Sequence, residues 1–400
     1  MNILFVGKCS PLQTAKEILH KKQKNPGFQI IKFAYLVLSG LKENGANVSV
    51  ISNVNAPTIG VSKEIENGIK FRYVPISKIP ILCQLLNFLI TFFYTLCWGI
   101  KNKTNSIIFC DIYDSNSATS GAVLAAKICN IPKCALITDM LSTTINTSTL
   151  NVNHTLFWRL FFKLRQKRMH KSLKQYDGFI FLTNNMNLIY NPLQRPYMVM
   201  EGCVDKHFIP SKNISKSSSK VIFYAGAIKA HYGLNELVQA FMTLSIPNIE
   251  LHIYGDGNMV EKLKEYQQQD SRIKYFGVVS NEQIVEEEQK ATLLVNPRLS
   301  HEEYVKYSFP SKTSEYMLSG TPLLTTKLCG IPEEYFPYLY TFEDETINGF
   351  AKKLSEILSL PDDCLTTKGK DAQRFILDYK NNIIQSKRIK DFFTQIINSK

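Results

Sequence analysis

The sequence lacks the short motifs that mark several common classes of nucleotide-binding and metal-binding protein. Neither G-x-G-x-x-G nor G-x-x-x-x-G-K-[ST] occurs in its 400 residues, which argues against a dinucleotide-binding fingerprint and a P-loop. No His and Cys residues are spaced as metal ligands, and no D-x-D is present. We therefore expect no metal site and no other cofactor.

The sequence also lacks any C-x-x-C pair and any recognisable secretory signal. Its nine cysteines are an odd number, and several stand in apolar surroundings, where free cysteine behaves as a small hydrophobic residue. The chain starts directly as a strand, MNILFVGKCS, with no basic segment before an apolar one. Both observations predict a cytoplasmic protein with reduced cysteines.

Acidic residues are scarce in the first half of the chain. Residues 1–203 contain 23 Lys and Arg but 9 Asp and Glu, a net charge of +14, whereas the remaining residues contain 24 and 25, a net charge of −1. This asymmetry predicts that one domain faces an anionic partner. No RNA-binding motif accompanies the charge, so we expect no nucleic acid among the partners.

Short apolar runs alternate with helical patterns along the whole chain. Residues 2–6 and 47–51 flank a predicted helix at 28–43, and further strands are predicted at 106–110, 134–138 and 178–182. The alternation restarts at 221–225 and continues through predicted strands at 249–254, 273–276, 291–296 and 322–326. Runs without polar alternation predict strands buried on both faces, in two Rossmann-like α/β domains with doubly wound parallel sheets.

The predicted domains meet near residue 205. We expect an acceptor-side domain at 1–204, a nucleotide-sugar domain at 205–380, and a terminal helix at 381–400 that packs back on the first domain. The Ser- and Lys-rich residues 211–220 predict a linker or exposed loop.

The stretch 294–334, LVNPRLSHEEYVKYSFPSKTSEYMLSGTPLLTTKLCGIPEE, carries the most informative motif. With YAGAIKAHYGLNELVQAF at 224–241, IYGDG at 253–257 and YFGVV at 275–279, it resembles the donor site of family-4 retaining glycosyltransferases, especially the capsule and O-antigen branch. The resemblance implies the GT-B fold, in which two Rossmann-like domains face a cleft.

In that family a Glu at the start of a helix accepts both ribose hydroxyls of the nucleotide, and Glu315 matches it. A carboxylate suits this role because it accepts two adjacent O–H groups at once. An exposed first-turn carboxylate, favoured by the helix dipole, is the structural alternative. Other positions that the resemblance assigns to the donor are Lys312, Ser311, Tyr307, Ser308, Gly226, Gly27 and Val278. Gly27, after Asn25-Pro26, resembles the loop that approaches the donor phosphates, but is also consistent with a simple turn.

The sequence departs from the family at the cations that hold the diphosphate. Tyr307 stands where the family often has a second Glu, and Ala227 and Tyr232 stand where it has Arg and Lys. We expect Lys229 and Arg298 to replace the missing cations, because a leaving diphosphate needs positive charge in the transition state. For Lys306, a solvated surface lysine is an equally good interpretation.

Acidic side chains follow the predicted strands of the first domain. Asp111, Asp114, Thr138 and Asp139 lie at carboxyl ends of strands, where ligands of open α/β sheets bind. Asp139 or Asp114 is expected to orient an acceptor or sugar hydroxyl, with a helix N-cap as the alternative. Thr138 replaces the family's frequent His, so no histidine is assigned a catalytic role. The resemblance implies a metal-independent transfer with retention, in which a donor phosphate oxygen takes the acceptor proton.

Two segments of the first half suggest a membrane. Residues 79–100 are long enough to span a bilayer, but the strands before and after them should share one sheet, so we expect a core or in-plane helix. Residues 156–174 form a predicted basic amphipathic helix. Its candidate membrane contacts are Trp158, Arg159, Lys163, Arg165, Lys167 and Arg168. A solvated face that covers the first sheet is the alternative.

Together these patterns predict a cytoplasmic enzyme on the inner face of the cell membrane. It would transfer a hexose from a nucleotide-sugar, with UDP favoured over GDP, to a lipid-linked saccharide in surface polysaccharide synthesis. Its partners would be the donor, the saccharide acceptor and an anionic membrane surface. A GT-B sugar-nucleotide epimerase and a degenerate nucleotide-sugar-binding protein remain alternatives.

Overall fold

The computed structural model describes residues 1–22, 28–54, 63–74, 80–112, 116–140, 167, 170–210 and 217–399. The chain forms two compact units. Unit 1 comprises Met1–Cys203 and Asn382–Lys400, and unit 2 comprises Val204–Asn381. Unit 1 contains 27 Lys and Arg against 10 Asp and Glu, a net charge of +17, and unit 2 contains 20 against 24, a net charge of −4.

Unit 1 is built on an eight-stranded sheet with the order β3-β4-β2-β1-β5-β6-β7-β8. The strands are β1 (Asn2–Gly7), β2 (Asn47–Ser52), β3 (Lys63–Glu66), β4 (Ile69–Tyr73), β5 (Ser106–Asp111), β6 (Lys133–Ile137), β7 (Gly178–Phe181) and β8 (Tyr197–Val199). The strands predicted at 2–6, 47–51, 106–110, 134–138 and 178–182 are confirmed, with ends that differ by one residue.

The sheet of unit 1 is parallel, as predicted, except at one edge. Strands β3 and β4 pair antiparallel, while the other neighbours are parallel. Asn67 and Gly68 join the two strands with φ angles of 49° and 72°. These positive angles match the right-handed twist of the flanking strands, and Asn-Gly adopts them readily.

The helices of unit 1 are α1 (Leu12–Lys22), α2 (Phe28–Glu43), α3 (Pro80–Lys101), α4 (Asn116–Ile128), α5 (Asn184–Tyr190) and α12 (Asn382–Asn398). Helix α12 packs on α2 and on the sheet. Ser386 Oγ donates to the carbonyl of Val37 at 2.8 Å, and the ring of Phe393 lies 5.1 Å from that of Phe109 in the core. The last helix therefore completes the core of unit 1.

Helix α3 is long and apolar enough to cross a bilayer, with a mean hydropathy of 1.5 over its most apolar window, of which 17% is buried. However, β4 before it and β5 after it belong to the same sheet. The prediction that α3 does not span is therefore supported by the strand order, because a span would place these two strands on opposite sides of the membrane.

Unit 2 is built on a six-stranded parallel sheet with the order β11-β10-β9-β12-β13-β14. The strands are β9 (Lys220–Ala225), β10 (Ile249–Tyr254), β11 (Ile273–Gly277), β12 (Leu293–Asn296), β13 (Leu323–Thr326) and β14 (Tyr340–Phe342). The helices are α6 (Leu234–Met242), α7 (Val260–Gln269), α8 (Asn281–Lys290), α9 (Lys312–Ser319), α10 (Ile347–Leu358) and α11 (Asp362–Tyr379). The predicted linker ends early, because Lys220 already belongs to β9; residues 211–216 lie outside the described residues.

Candidate functional site

The strand order of unit 2 reverses direction at β9. From β9 the chain moves outward through β10 and β11, then returns to the other side of β9 for β12, β13 and β14. The loops after β9 and β12 therefore leave the sheet in opposite directions and open a crevice at the carboxyl ends of these strands. Ligands of open α/β sheets bind at such a point.

Two glycines allow close packing of these loops. Gly233 has a φ of 72°, and a Cβ there would lie 1.8 Å from the carbonyl oxygen of Pro297, which follows β12. Gly226 has a φ of 143°, and a Cβ there would lie 2.1 Å from Nζ of Lys312. Any larger residue at either position would push the loops or the lysine out of place.

Lys312, the first residue of α9, directs its amine into the crevice. Nζ is shielded from solvent and has no hydrogen-bond partner among the described residues. It lies 3.9 Å from the ring centroid of Tyr224. Burial and, to a smaller extent, the charge of Arg298 together lower the pKa of Lys312 to about 7, against the opposite influence of Glu315 and Glu288. A buried amine without a hydrogen-bond partner is costly, and an anion in the crevice would supply that partner.

Arg298 follows β12 and is held between aromatic rings. Its guanidinium carbon lies 4.6 Å from the ring centroid of Tyr232 and 5.7 Å from that of Tyr304. Its Nε and the hydroxyl of Tyr304 both lack a hydrogen-bond partner within the described residues. Burial raises the pKa of Tyr304 to about 12, although Arg298 opposes this shift. The hydroxyl therefore stays protonated and can donate to a ligand.

The structure brings several predicted donor residues to this crevice. Lys229 is exposed, caps the 3₁₀ helix Ala230–Tyr232, and places Nζ 5.5 Å from the ring centroid of Tyr232, so it shares that ring with Arg298. Glu315 is half-buried in the first turn of α9. Tyr307 ends the 3₁₀ helix Glu303–Tyr307, and Ser308 and Ser311 lie between that helix and α9.

Val278 lies at a different part of the same edge. It follows β11 and is 74% exposed. The amide of Gly255, after β10, donates to the carbonyl of Gly277 at 2.8 Å, so the loop that carries Val278 is fixed to the loop of the neighbouring strand. Lys306 is exposed on the 3₁₀ helix, and its role stays a prediction.

Sequence reasoning missed the aromatic members of the crevice. His231, Tyr232 and Tyr304 form a cluster with centroid separations of 4.7, 5.7 and 5.8 Å. Tyr316 on α9 donates its hydroxyl to the carbonyl of Ala225 at 3.2 Å and accepts from the amide of Ala225 at 2.8 Å, which holds α9 against β9. Of these residues, the sequence analysis named only Tyr232, because it stands where the family has a lysine.

Unit 1 has a comparable reversal between β1 and β5. Asp111 ends β5 and is 2% exposed, and a Cβ at Gly7, the last residue of β1, would lie 2.6 Å from Cβ of Asp111. The hydroxyl of Ser10 is buried without a partner in the part of the chain that is described. Asp139 follows β6, is exposed, and accepts from the amide of Met140 at 2.7 Å.

Several predicted residues lie outside the described residues. They are Gly27, Asp114, Trp158, Arg159, Lys163, Arg165 and Arg168. Lys167 is described and is exposed. Within the described residues no group of three His, Cys, Asp or Glu side chains can hold a metal ion, and the metal independence of the reaction stays a prediction.

The crevice of unit 2 lies within a stretch of sequence that matches a known protein family. Residues 205–375 match the family described as glycosyl transferases, group 1. These residues make up most of unit 2. No curated protein sequence matches the chain.

Solved structures share the fold over nearly the whole chain. A glycosyltransferase from Rickettsia africae has a TM-score of 0.64 at 14% identity, with 100% of this chain and 99% of that chain covered. The Anabaena protein HepE in complex with UDP has a TM-score of 0.59 at 13% identity, covering 99% and 100%. The lipopolysaccharide outer core galactosyltransferase WaaB has a TM-score of 0.58 at 14% identity, covering 99% of both chains. The chain has the GT-B fold predicted from its sequence.

Proposed function

We propose that this protein is a retaining glycosyltransferase that moves a hexose from a UDP-sugar to a lipid-linked saccharide. The observation that carries the proposal is the buried amine of Lys312, which has no hydrogen-bond partner among the described residues. It lies beside Arg298 at the strand-order reversal of a region that matches the group 1 glycosyltransferases. A diphosphate in this crevice would give both cations a counterion. The same contacts would then stabilise the charge that develops on the leaving diphosphate.

The transfer requires no protein nucleophile. The bond between the anomeric carbon and the diphosphate oxygen breaks, and the acceptor oxygen forms its bond to that carbon on the same face. The acceptor proton passes to an oxygen of the leaving diphosphate. In this scheme Arg298, Lys312 and Lys229 act as fixed cations, so the reaction needs no divalent metal. Tyr304, which keeps its proton, donates a hydrogen bond to the diphosphate or the sugar.

The nucleoside is assigned to Glu315 and the loop after β11. The carboxylate of Glu315 lies one turn from Lys312 on α9 and accepts the two ribose hydroxyls. Val278 contacts the base. HepE is known in complexes with UDP and with UDP and glucose, which supports UDP as the nucleotide and a hexose as the sugar.

The acceptor and the location follow from unit 1. WaaB is a galactosyltransferase of lipopolysaccharide, which supports a lipid-linked saccharide acceptor and a place in surface polysaccharide synthesis of the capsule or O-antigen type. Asp139 orients the acceptor hydroxyl. The net charge of +17 on unit 1 favours a peripheral position on the anionic inner face of the cell membrane.

Nucleotide binding tests the proposal directly. Thermal unfolding is measured with UDP, GDP, CDP and ADP in the presence of EDTA, for wild type, Glu315→Ala and Lys312→Met. We expect UDP alone to stabilise the wild type, and both variants to lose most of the shift. Glu265→Ala and Lys264→Ala on α7 are matched controls, because both side chains are exposed and should leave the shift unchanged. No shift with any nucleotide would contradict the proposal.

Product analysis then separates transfer from the alternatives. UDP-hexoses are incubated with and without lipid-linked saccharides, and the sugar and nucleotide products are resolved. If metal-free protein releases UDP only when the acceptor is present, the result supports metal-independent sugar transfer. Conversion of one UDP-hexose to its epimer without acceptor would instead support an epimerase, and binding without turnover would support a degenerate protein.

A further inference from the structure

The exposed side of helix α3 is apolar. Between Pro80 and Ile100 the helix has no charged residue, and its large side chains that face solvent are 38% to 58% exposed. They are Leu82, Leu85, Leu89, Phe93 and Ile100. Their spacing of three, four and seven residues places them on one face. A surface helix of a soluble domain normally turns its polar face outward, so this helix has the reverse arrangement.

Helix α4 extends the same apolar surface. Gly121 allows close contact between the helices, because a Cβ there would lie 2.4 Å from the carbonyl oxygen of Phe88 on α3. Leu124 and Ile128 of α4 are 43% and 61% exposed. The seven exposed apolar residues of α3 and α4 are called the apolar patch. A contiguous patch on two packed helices indicates an interaction surface, unlike single exposed hydrophobic residues.

Lysines border the apolar patch. Lys101 ends α3, Lys103 follows it, and Lys127 lies in the last turn of α4; all three are exposed. Beyond α4, Ser172 and Gln175 line a cavity together with Thr119 and Ser120 of α4, so the segment 170–175 lies beside that helix. This segment and Lys167 add three exposed lysines: Lys167, Lys171 and Lys174.

Acidic residues are rare in this region. From residue 80 to residue 176 the sequence contains only Asp111, Asp114 and Asp139, against eleven Lys and Arg. An anionic surface would therefore meet little repulsion. A second copy of the chain is a poorer partner, because a two-fold contact through the apolar patch would bring the lysine border against its own copy.

We propose that the apolar patch docks unit 1 on an anionic phospholipid bilayer, with α3 in the plane of the interface. The apolar side chains enter the boundary between headgroups and acyl chains, and the lysine border contacts the lipid phosphates. This inference deepens the proposed function, since it names the surface and the lipid class through which the enzyme reaches a lipid-linked acceptor.

Vesicle flotation tests the apolar part. Wild type, Leu85→Glu/Phe93→Glu and Ile209→Glu are mixed with phosphatidylglycerol or phosphatidylcholine vesicles. Ile209 is an exposed apolar residue of unit 2, 77% accessible, and serves as the matched control. We expect wild type and Ile209→Glu to float with the anionic vesicles. The double variant should bind these vesicles at least about tenfold more weakly. Equal flotation of all three proteins would overturn the proposal.

A second pair of variants tests the lysine border. Lys167→Glu/Lys171→Glu should lose about tenfold or more in binding to phosphatidylglycerol, and the wild type should lose binding as salt is raised. Recovery that is independent of salt and of lipid charge would overturn the electrostatic part. If wild type dimerises in solution, and the Leu85→Glu/Phe93→Glu variant is monomeric but still floats, the apolar patch binds a second copy instead.

Solution assays keep this proposal separate from the proposed function. All variants are tested for stabilisation by UDP and for their melting temperature without vesicles. Retained UDP binding with lost flotation supports the docking surface. A wild type that floats through the apolar patch but binds no nucleotide would overturn the proposed function and leave the docking surface intact.

Discussion

The two units of this protein share a topology but differ in what their loops carry. In both, the strand order reverses beside the first strand, and a glycine allows close approach of a neighbouring element, the strand β5 in unit 1 and the helix α9 in unit 2. In unit 2 the crevice holds Lys312, Arg298 and a group of tyrosines, and Lys312, Arg298 and Tyr304 each have a polar atom without a partner in the described part of the chain. In unit 1 the corresponding place holds Gly7 and the buried Asp111. The sheet therefore fixes where a site can lie, and the loop residues decide what it binds.

In each unit the net charge and the charge of the candidate site have opposite signs. Unit 2, with a net charge of −4, contains the cationic crevice, and unit 1, with +17, carries an acidic residue at its strand reversal. A small anion responds to the few charges at close range, whereas a membrane responds to the summed charge of a surface. The comparison teaches that net charge indicates the extended partner and local charge indicates the small ligand.

Removal of the guanidinium should have the largest effect. We expect Arg298→Ala to lower kcat by about 10²–10³-fold, because a fixed cation at the developing diphosphate charge is lost. The measurement is steady-state release of UDP. Arg374→Ala is the control, since that side chain is 74% exposed on α11 of the same unit. If kcat fell equally in both variants, the effect would come from the net charge of unit 2 and not from a contact of Arg298 with the diphosphate.

Gly226→Ala should destabilise unit 2 and displace Lys312. The new Cβ would lie 2.1 Å from Nζ, at a φ of 143°, and we expect a loss of about 1–3 kcal/mol in the free energy of unfolding. Urea denaturation measures it. Gly45→Ala is a matched control in unit 1, where φ is 78° but no atom lies within 4 Å. If both variants lose the same stability, backbone strain alone accounts for the effect.

Donor affinity should fall as pH rises above about 7. The amine of Lys312 has a pKa of about 7, and the proposed contact with the diphosphate of a UDP-hexose would favour the protonated form and raise that pKa. Affinity is therefore independent of pH below 7 and falls by up to about tenfold per pH unit above it. Calorimetry with a UDP-hexose measures this, because its diphosphate, unlike UDP, has no terminal phosphate that titrates near pH 6. If the affinity of Lys312→Met for the UDP-hexose fell with pH as steeply as that of the wild type, the pH dependence would not come from Lys312.

Lys229→Ala should have the smallest effect. The side chain is exposed and reaches the crevice only through the ring of Tyr232, so we expect kcat/KM to fall by about two- to fivefold. The same assay with Lys264→Ala provides the comparison. Full turnover in both Lys229→Ala and Arg298→Ala would show that neither replaces the family's missing cations.

The alternation of strands and helices was predictable because each strand is a short apolar run buried on both faces. The β3–β4 hairpin was missed, since its strands are short and half-exposed, although Asn67-Gly68 is a turn signal. Lys312 and Glu315 could be proposed from the motif around α9. The contact between Tyr304 and Tyr232 could not be predicted, because these residues are far apart in sequence and meet only when β12 pairs with β9.

The surface of α3 shows a similar limit. Its apolar sequence is consistent with a span, a core helix or an interfacial helix, and periodicity cannot separate these when nearly every position is apolar. The distinction requires knowing which face contacts α4 and the sheet. Only then does the remaining face, with Leu85 and Phe93, become recognisable as exposed.

The packing of α12 on α2 has a consequence for the order in which the protein folds. Residues 382–398 supply Ile389, Phe392, Phe393 and Ile396 to the core of unit 1, whereas unit 2 is contained within residues 204–381. During synthesis all of unit 2 is therefore made before the helix that closes the core of unit 1. The unit whose synthesis begins first is therefore completed last, and until then the apolar sheet face that α12 covers stays exposed, which favours aggregation.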